Sequence, residues 1–283
     1  MTLQEKAARF AAMHVEPGII VLPNAWDPGS AMLMQDAGFP AIATTSSGIA
    51  FSQGLPDGEA IGRERMLEIC ARIAQAVKVP VTFDLEAGYG PAPEDVATTV
   101  RGAIAAGAVG CNIEDGQHDA SAPLAEFARS AERIRAGVEA AKSSGQPFVL
   151  NARTDAFLFR PKHADNFAET VKRGIAYREA GARCVFIPGV EDPALIERLQ
   201  REIGGPINLM AARGGRKSAL TVAEYAKLGV KRISIGGSLA EAVLALTHRA
   251  AREVREQGTF GFAANAMTHF EATRIMTGKA GPA

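Results

Sequence analysis

A (β/α)8 barrel, the TIM barrel, is the fold class this sequence predicts, and three observations predict it. Eight apolar runs of strand length recur at spacings on the order of 25 to 40 residues, the distance a βαβ unit requires. Four intervening helical stretches end in Ala-Gly or Leu-Gly, at 37–38, 106–107, 180–181 and 228–229, just before an apolar run; glycine there supplies the left-handed exit from a helix. The runs lack polar alternation, which suits strands covered on both faces. A chain of 283 residues is an ordinary length for one barrel. An open doubly wound sheet is the competing arrangement, but G-x-G-x-x-G after the first strand is missing.

The elements follow in order. Residues 3–13 carry apolar positions at helical spacing and pack across one end of the fold. The first strand is 19–22. In P-N-A-W-D-P-G-S, Asp27 caps and Pro28 opens a helix over 28–37, because aspartate accepts from free N–H groups and proline suits the first turn. The remaining strands are 41–45, 81–86, 110–114, 148–153, 184–188, 207–211 and 232–236. Thr221 and Glu224 form a capping box for the helix after the seventh strand. Residues 239–257 form the eighth helix. The whole chain, 1–283, is expected to be one domain: a barrel over about 1–257 and a C-terminal helical extension over 258–283. Its segment 262–276 exceeds what a closed barrel needs, and a neighbouring subunit is a destination for it, so a homo-oligomer, dimer or tetramer, is expected.

Composition narrows the function classes. The chain has 31 basic and 31 acidic residues, so broad attraction to nucleic acid or anionic membrane is not indicated and a small-molecule partner is favoured. No apolar run approaches the roughly 18 residues of a membrane span, and the first ten residues lack a signal-peptide core. A cytoplasmic location is the expectation. Cys70, Cys111 and Cys184 lack paired metal spacing and sit in apolar surroundings, as buried reduced thiols do. The five histidines show no H-x-x-x-H spacing.

Chemistry-bearing residues gather where the strands end, and in a TIM barrel that rim is the active site. The run V-T-F-D-L-E-A-G-Y-G places Asp84 and Glu86 at alternate strand positions, two carboxylates on one face that a hard cation such as Mg²⁺ would reconcile. Glu114 is a third oxygen donor, either toward that ion or as salt-bridge partner of an arginine. Arg153, followed by Asp155, offers a planar fork for a substrate carboxylate or neutralises the acids. Thr45, Ser46, Ser47 and Gly48 form a turn with hydroxyl and N–H donors suited to an oxyanion. Asp57, in L-P-D-G, reads as a turn former. Arg213 to Ser218, R-G-G-R-K-S, is incomplete as a phosphate loop, although the loop after strand seven of a barrel can hold an anion.

These motifs together, L-P-N-A-W-D-P-G-S, T-S-S-G, D-L-E-A-G-Y-G, N-I-E-D and A-R-T-D-A in that order, resemble the isocitrate lyase and phosphoenolpyruvate mutase superfamily over most of the barrel. The resemblance implies a Mg²⁺-dependent barrel, usually a dimer of dimers whose C-terminal helices swap between subunits. It implies Asp84 as main metal ligand with Glu86 and Glu114 assisting through water. Ser47 and Gly48 would hold a carboxylate or enolate oxygen, Arg153 would grip a carboxylate, and Asp57 becomes a site residue. The family's mobile loop after the fourth strand reads K-K-C-G-H in isocitrate and methylisocitrate lyases, with cysteine as the acid. Here it reads D-G-Q-H-D-A-S-A-P-L, without lysine or cysteine, which argues against isocitrate cleavage and against the mutase reaction. His118 is the one residue of that loop able to carry a proton near neutral pH, set against its reading as an exposed loop histidine.

The expected function is therefore a Mg²⁺-dependent carbon–carbon lyase acting on a small 2-keto or 2-hydroxy carboxylate through an enolate. The alternatives are an oxaloacetate-type decarboxylase or hydrolase of the same superfamily, and a non-catalytic dicarboxylate-binding barrel.

Overall fold

The computed structural model describes residues 1–117, 123–159, 165–212, 215 and 220–278. Its strands are β1 (Ile20–Leu22), β2 (Asn24–Ala25), β3 (Ile42–Thr44), β4 (Val81–Asp84), β5 (Gly110–Glu114), β6 (Val149–Arg153), β7 (Cys184–Ile187), β8 (Ile207–Met210) and β9 (Arg232–Ser234). All pair in parallel, in the order β1-β9-β8-β7-β6-β5-β4-β3-β2. The predicted first strand, 19–22, is continued beyond Pro23, which lacks an N–H, so that the segment falls into two halves, β1 and β2. The Pro23 carbonyl still accepts from Ala43 N at 2.9 Å. One half pairs with β9 and the other with β3, so both sheet edges belong to one continuous segment and the sheet closes into a TIM-type barrel.

Around it run α1 (Leu3–Met13), α2 (Pro28–Asp36), α3 (Ser46–Ser52), α4 (Arg63–Ala76), α5 (Pro93–Ala105), α6 (Phe127–Ser143), α7 (Ala156–Phe159), α8 (Asn166–Glu179), α9 (Pro193–Ile203), α10 (Val222–Lys227), α11 (Ser238–Gln257) and α12 (His269–Met276). Local signals place their ends. Asp27 accepts from Ser30 N at the start of α2, and Thr221 and Glu224 form the expected capping box on α10. Gly38, Gly107, Gly181 and Gly229 leave their helices at φ +89°, +96°, +103° and +79°, the left-handed region that the repeated Ala-Gly and Leu-Gly pairs predict.

Apolar faces fill two spaces. Between strands and outer helices, Ile73, Phe83, Val100, Leu150 and Tyr177 belong to one buried cluster. Helix α1 closes the amino-terminal mouth, where Phe10 packs with Leu22, Ala43, Val109 and Val149. Above that plug the lumen turns polar, with Asn112, Asn151, Asn208 and Arg232 all buried. Cys70, Cys111 and Cys184 are buried free thiols; burial pushes Cys70 and Cys184 up to about 12, which keeps them protonated.

The C-terminal segment departs from a continuous helix over 262–276. A 3-10 turn covers Gly261–Asn265, and Thr268 then caps α12 in a capping box with Glu271. Helix α12 packs back on α2, with Ile275 buried and Arg274 paired to Asp36 at 3.2 Å. Helix α11 buries Ala240 but exposes Leu244, Leu246 and Val254, and Phe260 and Phe270 also face outward. No described helix is long and apolar enough to cross a membrane.

His14, which caps α1 at its C-terminal end, makes a test of this packing. Its Nδ1 lies 2.8 Å from Phe10 O, and its ring meets the Phe10 ring edge-on at 4.8 Å. Burial, followed by the positive charge of Arg232, lowers its pKa to about 3. Since the folded value lies below the unfolded one near 6.5, stability is full above about pH 6.5 and is lost as pH falls toward 3. Urea titrations should therefore show this group withdrawing about 2 kcal/mol between pH 7 and pH 5. His14→Phe should flatten that slope, and equal slopes in the two proteins would contradict the assignment.

Candidate active site

The site is assembled from strand ends. After β3, Thr45 Oγ1 accepts from Gly48 N at 3.3 Å, so the serine-glycine turn expected there is the capped first turn of α3. Ser46 N and Oγ donate to Asp84 Oδ2 at 3.1 and 3.0 Å. Asn112 Nδ2 donates to Asp84 Oδ1 at 3.1 Å from the neighbouring strand. Both oxygens of this carboxylate, 8 % exposed at the end of β4, are thus oriented by the protein. Ser47 Oγ lies 3.1 Å from Thr45 Oγ1. Gly48 has no room for a side chain, because a Cβ would stand 2.6 Å from Thr45 Cγ2 and 3.0 Å from Ala240 Cβ.

Strand β4 ends at Asp84, two residues short of the predicted end, and Glu86 belongs to the turn that follows, at φ +50°. It reaches the same region by a different route from the strand alternation expected. Glu86 Oε2 accepts from Glu59 N at 2.5 Å, and the Glu59 carboxylate accepts from Tyr89 N at 2.6 Å. Arg63 holds the Tyr89 carbonyl at 2.6 Å, and Arg133 donates to the carbonyls of Ala87 and Gly90. The glycines permit this fold-back: Gly88 sits at φ +92°, where a Cβ would also strike Val96 Cγ2 at 2.9 Å. Burial, then the charges of Asp57 and Asp84, push the Glu86 carboxyl up to about 8, against the opposing hydrogen bond from Glu59.

Glu114 faces Arg153 across β5 and β6, with Nη1 to Oε2 at 2.6 Å. Arg153 Nε also pairs with Asp155 Oδ1 at 2.6 Å. Burial raises the Glu114 pKa well above the usual carboxylate range; Arg153 opposes this, while Asp155, Asp84 and Glu86 add to it. Burial works against the Arg153 charge too, but Asp155, Glu114 and Asp84 outweigh it and keep the guanidinium protonated. Asp155 Oδ2 is buried without a hydrogen-bond partner among the described residues. Asp115, adjacent to Glu114, accepts from Asp155 N through Oδ1 at 2.9 Å and turns its other oxygen toward the outer helices. Its Oδ2 accepts from Arg173 Nη1 at 3.1 Å and Tyr177 Oη at 2.6 Å, and Arg173 Nη2 ties down the Ala125 carbonyl at 3.0 Å.

The structure brings together Thr45, Ser46, Asp84, Glu86, Glu114 and Arg153 by direct bonds or mutual electrostatics, with the exposed Asp57 near enough to act on Glu86. His118 and, apart from Gly215, the Arg213–Ser218 stretch lie outside the described residues. Two groups were not singled out from the sequence. Asn112 and Asn151 stand two positions before Glu114 and Arg153, so period-two strand reading contains the signal for them. Glu59, Arg63 and Arg133 carry no local signal, because they reach the Asp84–Gly90 turn from other segments. No group of three His, Cys, Asp or Glu side chains among the described residues is arranged to hold one ion directly. The candidate ligand groups here, the carboxylates of Asp84, Glu86 and Glu114, all offer oxygen, and the acids outnumber Arg153. This chemistry fits a hard divalent cation that keeps several waters and takes one or two protein carboxylates.

Known proteins share this architecture. A solved structure of a candidate lyase/mutase from Burkholderia cenocepacia is 42 % identical, superposes with a TM-score of 0.91, and covers 97 % of each chain. The 2,3-dimethylmalate lyase of Eubacterium barkeri is 30 % identical over 79 % of this chain and 77 % of its own. A crystal structure of a 2,3-dimethylmalate lyase superposes with a TM-score of 0.84 at 26 % identity, over 95 % of this chain and 94 % of that one. The 2-methylisocitrate lyase of Escherichia coli is 29 % identical over 73 % of this chain and 70 % of its own. Residues 10–255 match the phosphoenolpyruvate phosphomutase family model, and the chain belongs to that family within the PEP mutase/isocitrate lyase superfamily.

Proposed function

We propose that the protein is a Mg²⁺-dependent lyase that cleaves a carbon–carbon bond of a small 2-keto or 2-hydroxy carboxylate through an enolate. The observation that carries this reading is the Asp84 carboxylate, fixed at the barrel's carboxyl end by Ser46 and Asn112 beside Glu86 and Glu114, whose proton affinity burial and neighbouring acids raise. Family membership, with lyases among the relatives, supports it. Asp84 would hold the ion directly, and Glu86 and Glu114 through retained water. When bound, Mg²⁺ supplies Lewis-acid stabilisation of developing oxyanion charge.

The chain's own groups do the rest. Glu114 and Asp155 engage Nη1 and Nε of Arg153, which fixes the guanidinium plane and presents its remaining edge to a substrate carboxylate. The Ser47 hydroxyl, on the first turn of α3, is the donor for a carboxylate or enolate oxygen. The Gly48 N–H is engaged by Thr45, so Gly48 contributes through the close approach it allows. Asp57 sits in the loop before α4 and adds negative charge beside Glu86. His118, in the loop after Asp115, is the proposed proton donor to the departing carbanion.

The exposed apolar residues of α11 and the segment after it form an unpartnered surface of the kind that joins subunits. We infer a homo-oligomer through this face.

Four experiments test these readings. A panel of 2-keto and 2-hydroxy acids, including 2,3-dimethylmalate, 2-methylisocitrate and oxaloacetate, should reveal turnover that EDTA abolishes and Mg²⁺ restores; binding without turnover of any acid would make the protein a carboxylate-binding barrel. Asp84→Asn should weaken Mg²⁺ binding in calorimetry by more than about 100-fold and eliminate activity, whereas full activity in His118→Ala would remove histidine from the mechanism. In light-scattering chromatography the native chain should run as a dimer or tetramer. Leu246→Glu with Phe270→Glu should shift it toward monomer, and a native monomer would refute the interface.

A further inference from the structure

Arg232 opens β9 inside the barrel and is 0 % exposed. No described carboxylate lies within ion-pairing distance of it. Its guanidinium stands 5.9 Å from the Phe10 ring centroid, and its Nε and Nη1 have no hydrogen-bond partner among the described residues. Burial lowers its pKa to about 10, so the group still carries its charge at neutral pH. A cation buried in this way is costly, and a hydrophobic side chain of similar volume would serve packing better.

Its side-chain hydrogen bond among the described residues leads to the candidate site. Nη2 donates to Asn112 Oδ1 at 3.4 Å, and Asn151 Nδ2 donates to the same oxygen at 2.8 Å. An amide oxygen that receives two N–H donors has its NH₂ turned the other way, and Asn112 Nδ2 accordingly donates to Asp84 Oδ1 at 3.1 Å. A half-turn of that amide would set its oxygen against the carboxylate, where it would repel.

We propose that Arg232 is a positioning residue that acts through the Asn112 amide to hold the Asp84 carboxylate in its orientation at the barrel mouth. This rests on the reading of Asp84 as the metal-holding carboxylate. Arg232 secures one face of the Asn112 amide, Asn151 shares that task, and Ser46 fixes the opposite oxygen of Asp84. The carboxylate is then left with one orientation toward an incoming cation.

The test uses the full-length protein with Mn²⁺ as probe, read by calorimetry and by the spin-resonance signal of the bound ion. Arg232→Met should melt at or above the wild-type temperature, since an unpaired buried charge has gone, yet bind Mn²⁺ about 10- to 100-fold more weakly. A purely structural arginine predicts the reverse pattern, lower melting and unchanged affinity. Asn112→Ala should lose a similar factor, and the double variant should lose no more than Asn112→Ala alone, because the two act in series. Should Arg232→Met not fold, Arg232→Lys keeps the charge without the reach, and wild-type affinity in that folded variant overturns the proposal. Asp84→Asn separates the two failures. If it loses Mn²⁺ while the Arg232 and Asn112 variants bind as wild type, the metal reading stands and the relay falls. If Asp84→Asn itself binds as wild type, the metal reading falls and takes the relay with it.

Discussion

Mutual repulsion among carboxylates at one mouth of a closed barrel is the constraint on which the surrounding structure depends. Asp84 raises the proton affinity of Glu86, and the two together raise that of Glu114, with Asp57 also acting on Glu86 and Asp155 on Glu114. In water such a group would separate, but strand pairing forbids it: Asp84 is in register with Asn112, and Glu114 with Arg153. The charge is instead held by oriented donors. Ser46 and Asn112 serve Asp84, the Glu59 N–H serves Glu86, and Arg153 bridges Glu114 and Asp155. Hydrogen bonds and ion pairs of this kind are strongest where water is excluded, which is also where their loss is most costly.

Containing the charge makes demands on the backbone. Glu59, Glu86 and Tyr89 all adopt positive φ without being glycine, and all three belong to the same clamp around the turn after β4. Such strain persists only where neighbours over-determine it, and Arg63 and Arg133 supply that support from two outer helices. The result is a rigid platform on one side of the mouth. On the other, Asp115 accepts from Asp155 N with one oxygen and from Arg173 and Tyr177 with the other, and Arg173 tethers residue 125. Of two adjacent acids in I-E-D, one faces the mouth and the other anchors the returning end of the loop that follows.

The polar lumen beneath the rim links the site to the barrel floor. Apolar side chains would pack the same volume at lower electrostatic cost, yet Asn112, Asn151, Asn208 and Arg232 occupy it. The connection from Arg232 through Asn112 to Asp84 gives this arrangement a physical role, because it makes the orientation of one rim carboxylate depend on a cation buried inside the barrel.

The eight-strand order, the glycine exits from helices, the caps on α2 and α10 and the collection of acids at strand ends were legible in the sequence, because each depends on residues a few positions apart. The D-L-E-A-G-Y-G run likewise announced crowded carboxylates and the lyase family. Other features depended on segments far apart in the chain. That Pro23 divides a strand while both halves close the barrel, and that Glu86 leaves the strand for a turn held by Glu59, became visible only with neighbouring strands and helices in place. Asp115 and Glu114 are adjacent and chemically alike, but α8 brings Arg173 to one and β6 brings Arg153 to the other. Sequence spacing determines which face a residue takes within its own element. Only tertiary packing decides which charges meet there, because a buried charge must find its partner wherever the fold delivers one.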